Sequence, residues 1–327
     1  MGRLRRITRS ALRRIYQSMD GLLAEDGHKE MNNRIDDPDS YEYAYIWLND
    51  ILIGSLAEEP LLRPSYTWGV LHAAHLARAL DIPRVSVIEF GVAGGNGLIA
   101  LELAAERAEK FLGVGIDVYG FDTGRGLPPP QDYRDLPNLF TRDYFSMDKE
   151  KLLRQLKRAK LNLGPVNQTL DGFIKSKPAP IGFISMDVDY YSSTMEALQL
   201  FETSYSLLLP RIYCYFDDII GFTYSDFTGE RLAISDFNSS HDDRKLSPVH
   251  GLEHFLPASV AQGGWPQQIY MAHFFKHPAY CKSDGLGARS KGCTDLKGTA
   301  ASFLVAGGLE HVQSCIDAGL LVVRAGS

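Results

Sequence analysis

The chain has 327 residues, of which 45% are hydrophobic, and a formal net charge of −6 with an isoelectric point near 5.9. This composition is sufficient to bury the core of one large domain or two small ones. It argues against nucleic acid as the main partner, because phosphate binding requires a basic face, and it favours a small-molecule ligand.

The first sixteen residues have the pattern of a basic amphipathic helix. Six arginines alternate with aliphatic residues, and no acidic residue occurs before Asp20. Three roles fit this pattern: a helix that is solvated or packs against another subunit, a helix that contacts a membrane surface or an acidic protein, and a mitochondrial targeting segment. Residues 20–40 are polar and rich in Gly and Asp, so we interpret residues 1–40 as this helix and a linker.

Helical and strand patterns alternate from residue 41 onward. Helices are predicted at 41–58 and 64–80, and short apolar, β-branched runs typical of buried parallel strands then alternate with further helices. The predicted strands are 85–90, 116–122, 181–189 and 212–218, and the helices between them are 97–111, 148–160 and 193–208. The alternation predicts an α/β fold with a doubly wound, Rossmann-like parallel sheet and helices on both faces.

Three further elements are predicted beyond Gly221. A helix is expected at 230–238, a polar loop long enough to cover a site at 238–251, and an alternating strand at 267–277 that is typical of an antiparallel edge strand. The main domain, with its N-terminal helical cap, therefore spans 41–280. Residues 281–327 form an extension of unknown role.

The cysteines and the hydropathy pattern bear on where the protein works. The four cysteines include no C-x-x-C pair, which disfavours a zinc ribbon and a disulfide framework. No window reaches the roughly 18 uninterrupted apolar residues that a spanning helix requires. We therefore expect a cytoplasmic protein without a transmembrane segment, in which any membrane association occurs through residues 1–16. We also expect a homo-oligomer.

A glycine-rich turn, GVAGGNG at 91–97, connects the first predicted strand to the following helix. Such a turn lets the backbone approach a ligand closely, with helix N–H groups facing it, although some turns of this kind only pack tightly. A dinucleotide fold is the main competitor, because residues 95–100 match G-x-G-x-x-A and Asp117 lies twenty residues after Gly97. However, Gly91 holds the early position of the turn, and Asp122 ends the second strand, where a carboxylate suits the hydroxyls of an adenosine ribose.

Carboxylates also follow the later strands. Asp187 and Asp189 would point to one side if the backbone stayed extended, and Asp217 and Asp218 end an apolar strand. Carboxylates that converge at one sheet edge repel one another unless a cation or protons compensate them, and their hard oxygens favour Mg²⁺, Ca²⁺ or Mn²⁺ over zinc. No G-x-S-x-G nucleophile motif occurs, and we interpret His250 and His254 as surface or core-edge residues.

Four segments between residues 85 and 222 together resemble the macrocin O-methyltransferase family of metal-dependent sugar O-methyltransferases. They are EFGVAGGNG at 89–97, FDTGRGLPPP at 121–130, SMDVDYYSSTMEAL at 185–198 and YFDDIIG at 215–221. The resemblance implies a class I methyltransferase fold that transfers a methyl group from S-adenosylmethionine to a sugar hydroxyl of a glycan or small-molecule acceptor, with Mg²⁺ or another hard divalent cation.

The resemblance also implies roles for individual residues. Asp189 matches the position of the general base, and the metal is expected at Asp187, Asp217 and Asp218. S-adenosylmethionine is expected at Glu89, Gly91, Val92, Gly94, Gly95, Asp122 and Gln168. Two departures concern the cofactor, since Thr123-Gly124 replaces Ser-Phe and Gln168 stands where the family commonly has an acid.

Three alternatives stay open at the level of the sequence. The acceptor could be a catechol-like phenol, which also presents neighbouring oxygens to Mg²⁺. The chain could be an inactive methyltransferase-fold scaffold that docks through its basic N-terminal helix. It could also be a dehydrogenase that binds NAD.

Overall fold

The computed structural model describes residues 41–221, 224–256 and 258–282. The basic helix and linker predicted at 1–40, and the extension predicted at 281–327 apart from its first two residues, lie outside the described residues. No described helix is long and apolar enough to cross a bilayer.

Seven described strands form one sheet in the order β3-β2-β1-β4-β5-β7-β6. The strands are Arg84–Phe90 (β1), Gly115–Asp122 (β2), Lys160–Leu163 (β3), Ile181–Met186 (β4), Leu208–Phe216 (β5), Arg244–Pro248 (β6) and Ile269–Phe274 (β7). The first five are parallel, and β7 pairs antiparallel with both β5 and β6. The predicted fold class, an α/β fold with a doubly wound, Rossmann-like sheet, is confirmed.

Helices cover the sheet in two groups. The described α-helices are Tyr41–Glu58 (α1), Pro64–Ala79 (α2), Asn96–Leu112 (α3), Lys149–Gln155 (α4), Val166–Lys175 (α5), Tyr191–Leu198 (α6) and Gly229–Ser240 (α7). Helix α2 packs between α1, α3 and strands β4 and β5, whereas α5, α6 and α7 contact one another in sequence. Pro64 begins α2 at a position where the missing N–H costs nothing, and most of that helix is buried.

The four central strands end in register. Phe90, the last residue of β1, pairs with Phe121 on one side and with Met186 on the other, and Met186 pairs with Phe216. The strand order reverses between β1 and β4, which is where ligands bind in open α/β sheets. The residues just beyond these strands therefore meet at one edge.

Two predicted boundaries differ because edge strands carry a weak sequence signal. The helix predicted at 148–160 ends at Gln155, and the half-buried strand β3 begins at Lys160. The polar segment 238–251, predicted as a loop, contains β6. Strand β7 is antiparallel as predicted but lies one place in from the edge, because β6 pairs with it and takes the edge position.

Helix lengths differ as well. The helix predicted at 193–208 ends at Leu198 and continues as two short 3₁₀ turns before β5 begins at Leu208. Helix α5 was not predicted. Its side chains are mostly exposed, and Leu170 and Phe173 are its two buried residues, so its apolar stripe is narrow.

Gly91 lies where the chain leaving β1 passes very close to the chain leaving β4. Its φ is +83°, and a Cβ there would lie 1.7 Å from the carbonyl oxygen of Asp187. We expect Gly91→Ala to lower the free energy of unfolding by about 3 kcal/mol or more, measured by urea denaturation. Gly94→Ala, in the same turn but with no atom within 4 Å of the added Cβ, is the control and should stay within about 0.5 kcal/mol of the wild type. Equal stability of the two variants would contradict this close approach.

Candidate active site

A cavity of about 620 Å³ opens at the carboxyl ends of the central strands. Its lining includes each residue to which the sequence assigned a role in catalysis, cofactor binding or metal binding. These residues are Glu89, Gly91, Val92, Gly94, Gly95, Asp122, Gln168, Asp187, Asp189, Asp217 and Asp218. The fold thus brings the predicted site together in one place.

Asp122 holds the glycine-rich turn in shape. One of its carboxylate oxygens, Oδ2, accepts hydrogen bonds from the backbone N–H groups of Val92 and Ala93, at 2.9 and 2.8 Å. The other, Oδ1, accepts from the N–H of Gly124 at 2.6 Å. Because a carboxylate oxygen has two lone pairs, Oδ1 keeps capacity for one further donor, such as a ribose hydroxyl.

A buried network lies beneath the turn, with the Tyr66 hydroxyl at its centre. That hydroxyl donates to Glu89 Oε1 at 2.8 Å and accepts from the Ser185 hydroxyl at 2.7 Å. The guanidinium of Arg63 also donates to it at 3.2 Å and lies over the Tyr66 ring. Gly97 leaves the space for this network, since a Cβ there would lie 1.8 Å from Glu89 Oε1.

Glu89 is a buried carboxyl with one unused oxygen. Its Oε2 has no hydrogen-bond partner, and the side chain lines the cavity. Burial raises the pKa of Glu89 to about 8. A cationic donor reaching Oε2 would satisfy it and favour its ionised form.

Three carboxylates cluster at the ends of β4 and β5. One oxygen each of Asp187, Asp217 and Asp218 lies within 4.8 Å of the others. Burial, together with the charges of the two neighbouring aspartates, raises the pKa of Asp187 to about 7, and burial also raises the pKa of Asp218. Three hard oxygen ligands whose mutual repulsion needs compensation fit a Mg²⁺-like or Mn²⁺-like cation.

Side chains that the sequence did not single out orient this cluster. The hydroxyl of Tyr215 donates to Asp217 Oδ1, and that of Tyr224 donates to Asp218 Oδ1, both at 2.6 Å. The backbone N–H of Asp218 donates to the fully buried Glu230 at 3.0 Å. These bonds hold the ligand carboxylates in place. Tyr224 and Glu230 lie 6 and 12 positions after Asp218, so no local motif marks them.

Asp189 lies beside the cluster in an unusual backbone conformation. The extended backbone expected for 187–189 is not observed, because β4 ends at Met186 and Asp189 has a φ of +60°. Its N–H donates to Asp218 Oδ2 at 3.2 Å, which couples the two residues directly. Burial and the neighbouring aspartates raise the pKa of Asp189. A left-handed, buried aspartate in a cavity is the kind of strained residue that clusters at functional sites.

The acidic residue of the alternative dinucleotide-binding pattern lies far from the cavity. Asp117, its candidate ribose ligand, lies in the first half of β2 and forms an ion pair with Arg84 at the start of β1, at 2.9 Å. This is the opposite end of the strands from the cavity, whereas Asp122 lines it.

Aromatic side chains also line the cavity. Phe140, Phe145 and Tyr224 line it, and Tyr144 and Phe227 are exposed nearby in sequence. Gln168 lines the cavity from α5 with an exposed side chain. The segment 238–251, which is long enough to cover a site, contributes no described residue to the lining of this cavity. His250 and His254 are exposed, as expected.

No protein-family model matches the chain, and no curated protein sequence matches it. Solved structures that resemble it include CalS11, a calicheamicin methyltransferase, at 22% identity over 64% of this chain and 88% of that one, with a TM-score of 0.43. The O-methyltransferase NovP is 15% identical over 61% of this chain and 90% of its own, with a TM-score of 0.41. An O-methyltransferase from Bacillus cereus in complex with SAH is 14% identical over 69% of this chain and 88% of its own, with a TM-score of 0.36. These identities and TM-scores are too low to transfer an activity, so the chemistry depends on the residues of this chain.

Glu89 should make stability depend on pH. A raised pKa in the folded state means that the folded protein retains a proton that the unfolded chain has lost, between the ordinary value of 4.5 and about 8. The contribution of this group is therefore fully present below pH 4.5 and is lost as the pH rises to about 8, by at most about 1.4 kcal/mol per pH unit. We expect Glu89→Gln to flatten the dependence in urea unfolding, and the exposed Glu106→Gln to leave it unchanged. An unaltered slope in Glu89→Gln would show that Glu89 does not titrate in this window.

The aspartate cluster should bind a divalent cation more tightly at higher pH. A cation must displace the protons held by Asp187 and Asp218, so its affinity should rise between pH 6 and 8, by at most about tenfold per pH unit for each proton displaced. Titration calorimetry with MnCl₂ and MgCl₂ measures this directly. Asp217→Asn should abolish binding, whereas the exposed Asp171→Asn on α5 should not. Binding that survives Asp217→Asn would place the cation elsewhere.

Proposed function

We propose that the chain is a metal-dependent O-methyltransferase that transfers a methyl group from S-adenosylmethionine to a hydroxyl of a sugar. One observation carries the proposal: a single cavity joins the glycine-rich turn, Glu89 and Asp122 to a three-aspartate cluster. The first part fits an adenosyl amino-acid ligand, and the second fits a cation that binds the acceptor. The four segments that resemble the macrocin O-methyltransferases all contribute to this cavity and support the same assignment.

The cofactor half of the cavity is formed by this chain's turn and strand ends. S-adenosylmethionine, when bound, supplies an electrophilic methyl group. The Oε2 atom of Glu89 is free to accept from an ammonium group, and Asp122 Oδ1 is free to accept from a ribose hydroxyl. Gln168 offers an amide at the α5 side of the same cavity. These groups would hold the donor at a fixed position relative to the aspartates, which is the main contribution of proximity to the rate.

The acceptor half is formed by the aspartates. Asp187, Asp217 and Asp218 would hold a divalent cation, which supplies Lewis-acid chemistry by binding hydroxyl oxygens and lowering the pKa of one of them. Tyr215 and Tyr224 keep two of these carboxylates oriented. The cluster is partly buried, which strengthens its electrostatic effect on a developing alkoxide.

Asp189 would remove the hydroxyl proton. It lines the cavity, and its backbone N–H is bonded to Asp218, which places it beside the proposed cation and its acceptor. Without a cation, burial and the neighbouring aspartates raise its pKa. A cation on the neighbouring carboxylates would lower that pKa and keep the base ionised. The proton then rests on a carboxylate oxygen of Asp189.

A catechol-like phenol is the second candidate acceptor, because Phe140 and Phe145 line the cavity and could pack on an aromatic ring. A panel of simple glycosides and catechols, with S-adenosylmethionine labelled in the methyl group, separates the two. Transfer to glycosides alone supports the sugar assignment, and transfer to catechols alone overturns it in favour of the phenol. Cofactor binding without transfer to any acceptor on either panel would favour the inactive scaffold.

Replacing Asp189 should separate chemistry from binding. We expect Asp189→Asn to lower kcat about 100- to 10,000-fold, because the amide cannot accept the proton, while S-adenosylhomocysteine binds as in the wild type. Asp81→Asn is a matched control, since Asp81 is also a left-handed aspartate, with a φ of 58° against 60°, and lies outside the cavity. A kcat within a few-fold of the wild type in Asp189→Asn would remove Asp189 from the role of base.

A further inference from the structure

The charge pattern of the cavity is strongly one-sided. Seven carboxyl side chains are among its described lining residues: Glu89, Asp122, Asp187, Asp189, Glu196, Asp217 and Asp218. Among the same described lining residues, one side chain is basic, that of Arg63. A ligand with positive groups is therefore suited to most of this cavity, and Arg63 is the lining side chain that can form an ion pair with a ligand's negative group.

Arg63 is placed for such a contact by its position in the fold. It is the residue before α2, with an extended backbone, so its side chain leaves the helix and reaches the cavity. One guanidinium nitrogen donates to the Tyr66 hydroxyl, and the group lies 5.1 Å from the centre of the Tyr66 ring. No ion pair joins it to a carboxylate among the residues that the structure describes. Most of its N–H donors are therefore available to a ligand.

Glu89 offers the opposite charge close by. Arg63 and Glu89 both hydrogen-bond to the hydroxyl of Tyr66, at 3.2 and 2.8 Å, and both lie beside Gly97 in the first turn of α3. The unpartnered Oε2 of Glu89 is an acceptor in a side chain that is 1% exposed. The Arg63 guanidinium and the buried Glu89 carboxyl are thus separated by one tyrosine hydroxyl. An amino acid has a carboxylate and an ammonium group on its α-carbon, and these suit the guanidinium and the carboxyl respectively.

We propose that Arg63 binds the α-carboxylate of the amino-acid end of the donor, with Glu89 binding its ammonium group and Tyr66 setting the spacing between them. This inference rests on the proposed function, because it assigns one end of the S-adenosylmethionine site. Arg63 is then a residue that selects adenosyl ligands with an intact amino acid over those without one.

Two ligands that differ at this end provide the test. S-adenosylhomocysteine has the amino-acid end, whereas 5′-methylthioadenosine has the same adenosyl thioether and lacks it. Calorimetric titration of the full chain with each ligand gives a ratio of affinities, which cancels any general loosening of the cavity. Arg63→Gln should weaken S-adenosylhomocysteine about 10- to 100-fold and leave 5′-methylthioadenosine within about twofold, as expected for a lost hydrogen-bonded charge pair.

Further variants sharpen the comparison. Arg63→Lys retains the charge but loses the planar guanidinium, so its affinity for S-adenosylhomocysteine should lie between those of Arg63→Gln and the wild type. Arg107→Gln removes an arginine outside the cavity and should alter neither affinity. Unchanged binding of S-adenosylhomocysteine by Arg63→Gln, or an equal loss for both ligands, would overturn this inference alone. Failure of the folded wild type to bind either ligand would overturn the proposed function as well.

Discussion

The shared register of four parallel strands determines this site. Phe121, Phe90, Met186 and Phe216 lie opposite one another across β2, β1, β4 and β5, so the next residue along each strand emerges at the same edge. Those next residues are Asp122, Gly91, Asp187 and Asp217. A shift of one residue in any pairing would move an aspartate out of the cavity. The buried apolar strands that enforce the register are thus the foundation of the polar site.

The carboxyl groups of the site lie close together and are partly or fully buried, which is electrostatically unfavourable until a ligand compensates them. Burial raises the pKa of Glu89, of Asp187 and of Asp218, and it also raises the pKa of the fully buried Glu230. Hydrogen bonds from tyrosine hydroxyls and backbone N–H groups offset part of this cost. In the proposed function, a divalent cation and a cationic donor offset the rest, so ligand binding and stability are coupled through the same carboxyl groups.

The cavity divides into regions with different chemistry. The glycine-rich turn and the Tyr66 network form a pocket for a polar, charged ligand, with Arg63 as its basic side chain. The aspartate cluster and the aromatic side chains of Phe140 and Phe145 line the same cavity. In the proposed function the reacting groups meet at the cluster, and these aromatic side chains contact the acceptor. Aromatic rings suit the apolar face of a sugar or another aromatic ring.

The fold class and the residues at the strand ends could be predicted from the sequence, because buried parallel strands are continuous apolar runs and the residues that follow them stand out as glycines and aspartates. It could not reveal β3 and β6, whose edge positions leave them half-exposed and without a clear period. It also missed Arg63, Tyr66, Tyr224 and Glu230, which belong to no local motif. Their roles depend on the tertiary structure, since the hydrogen bonds of Tyr66, Tyr224 and Glu230 join residues 6 to 119 positions apart through packing that no local pattern encodes. The left-handed turn at Asp189 was likewise imposed by its surroundings, because its amide bonds to Asp218 on the neighbouring strand end.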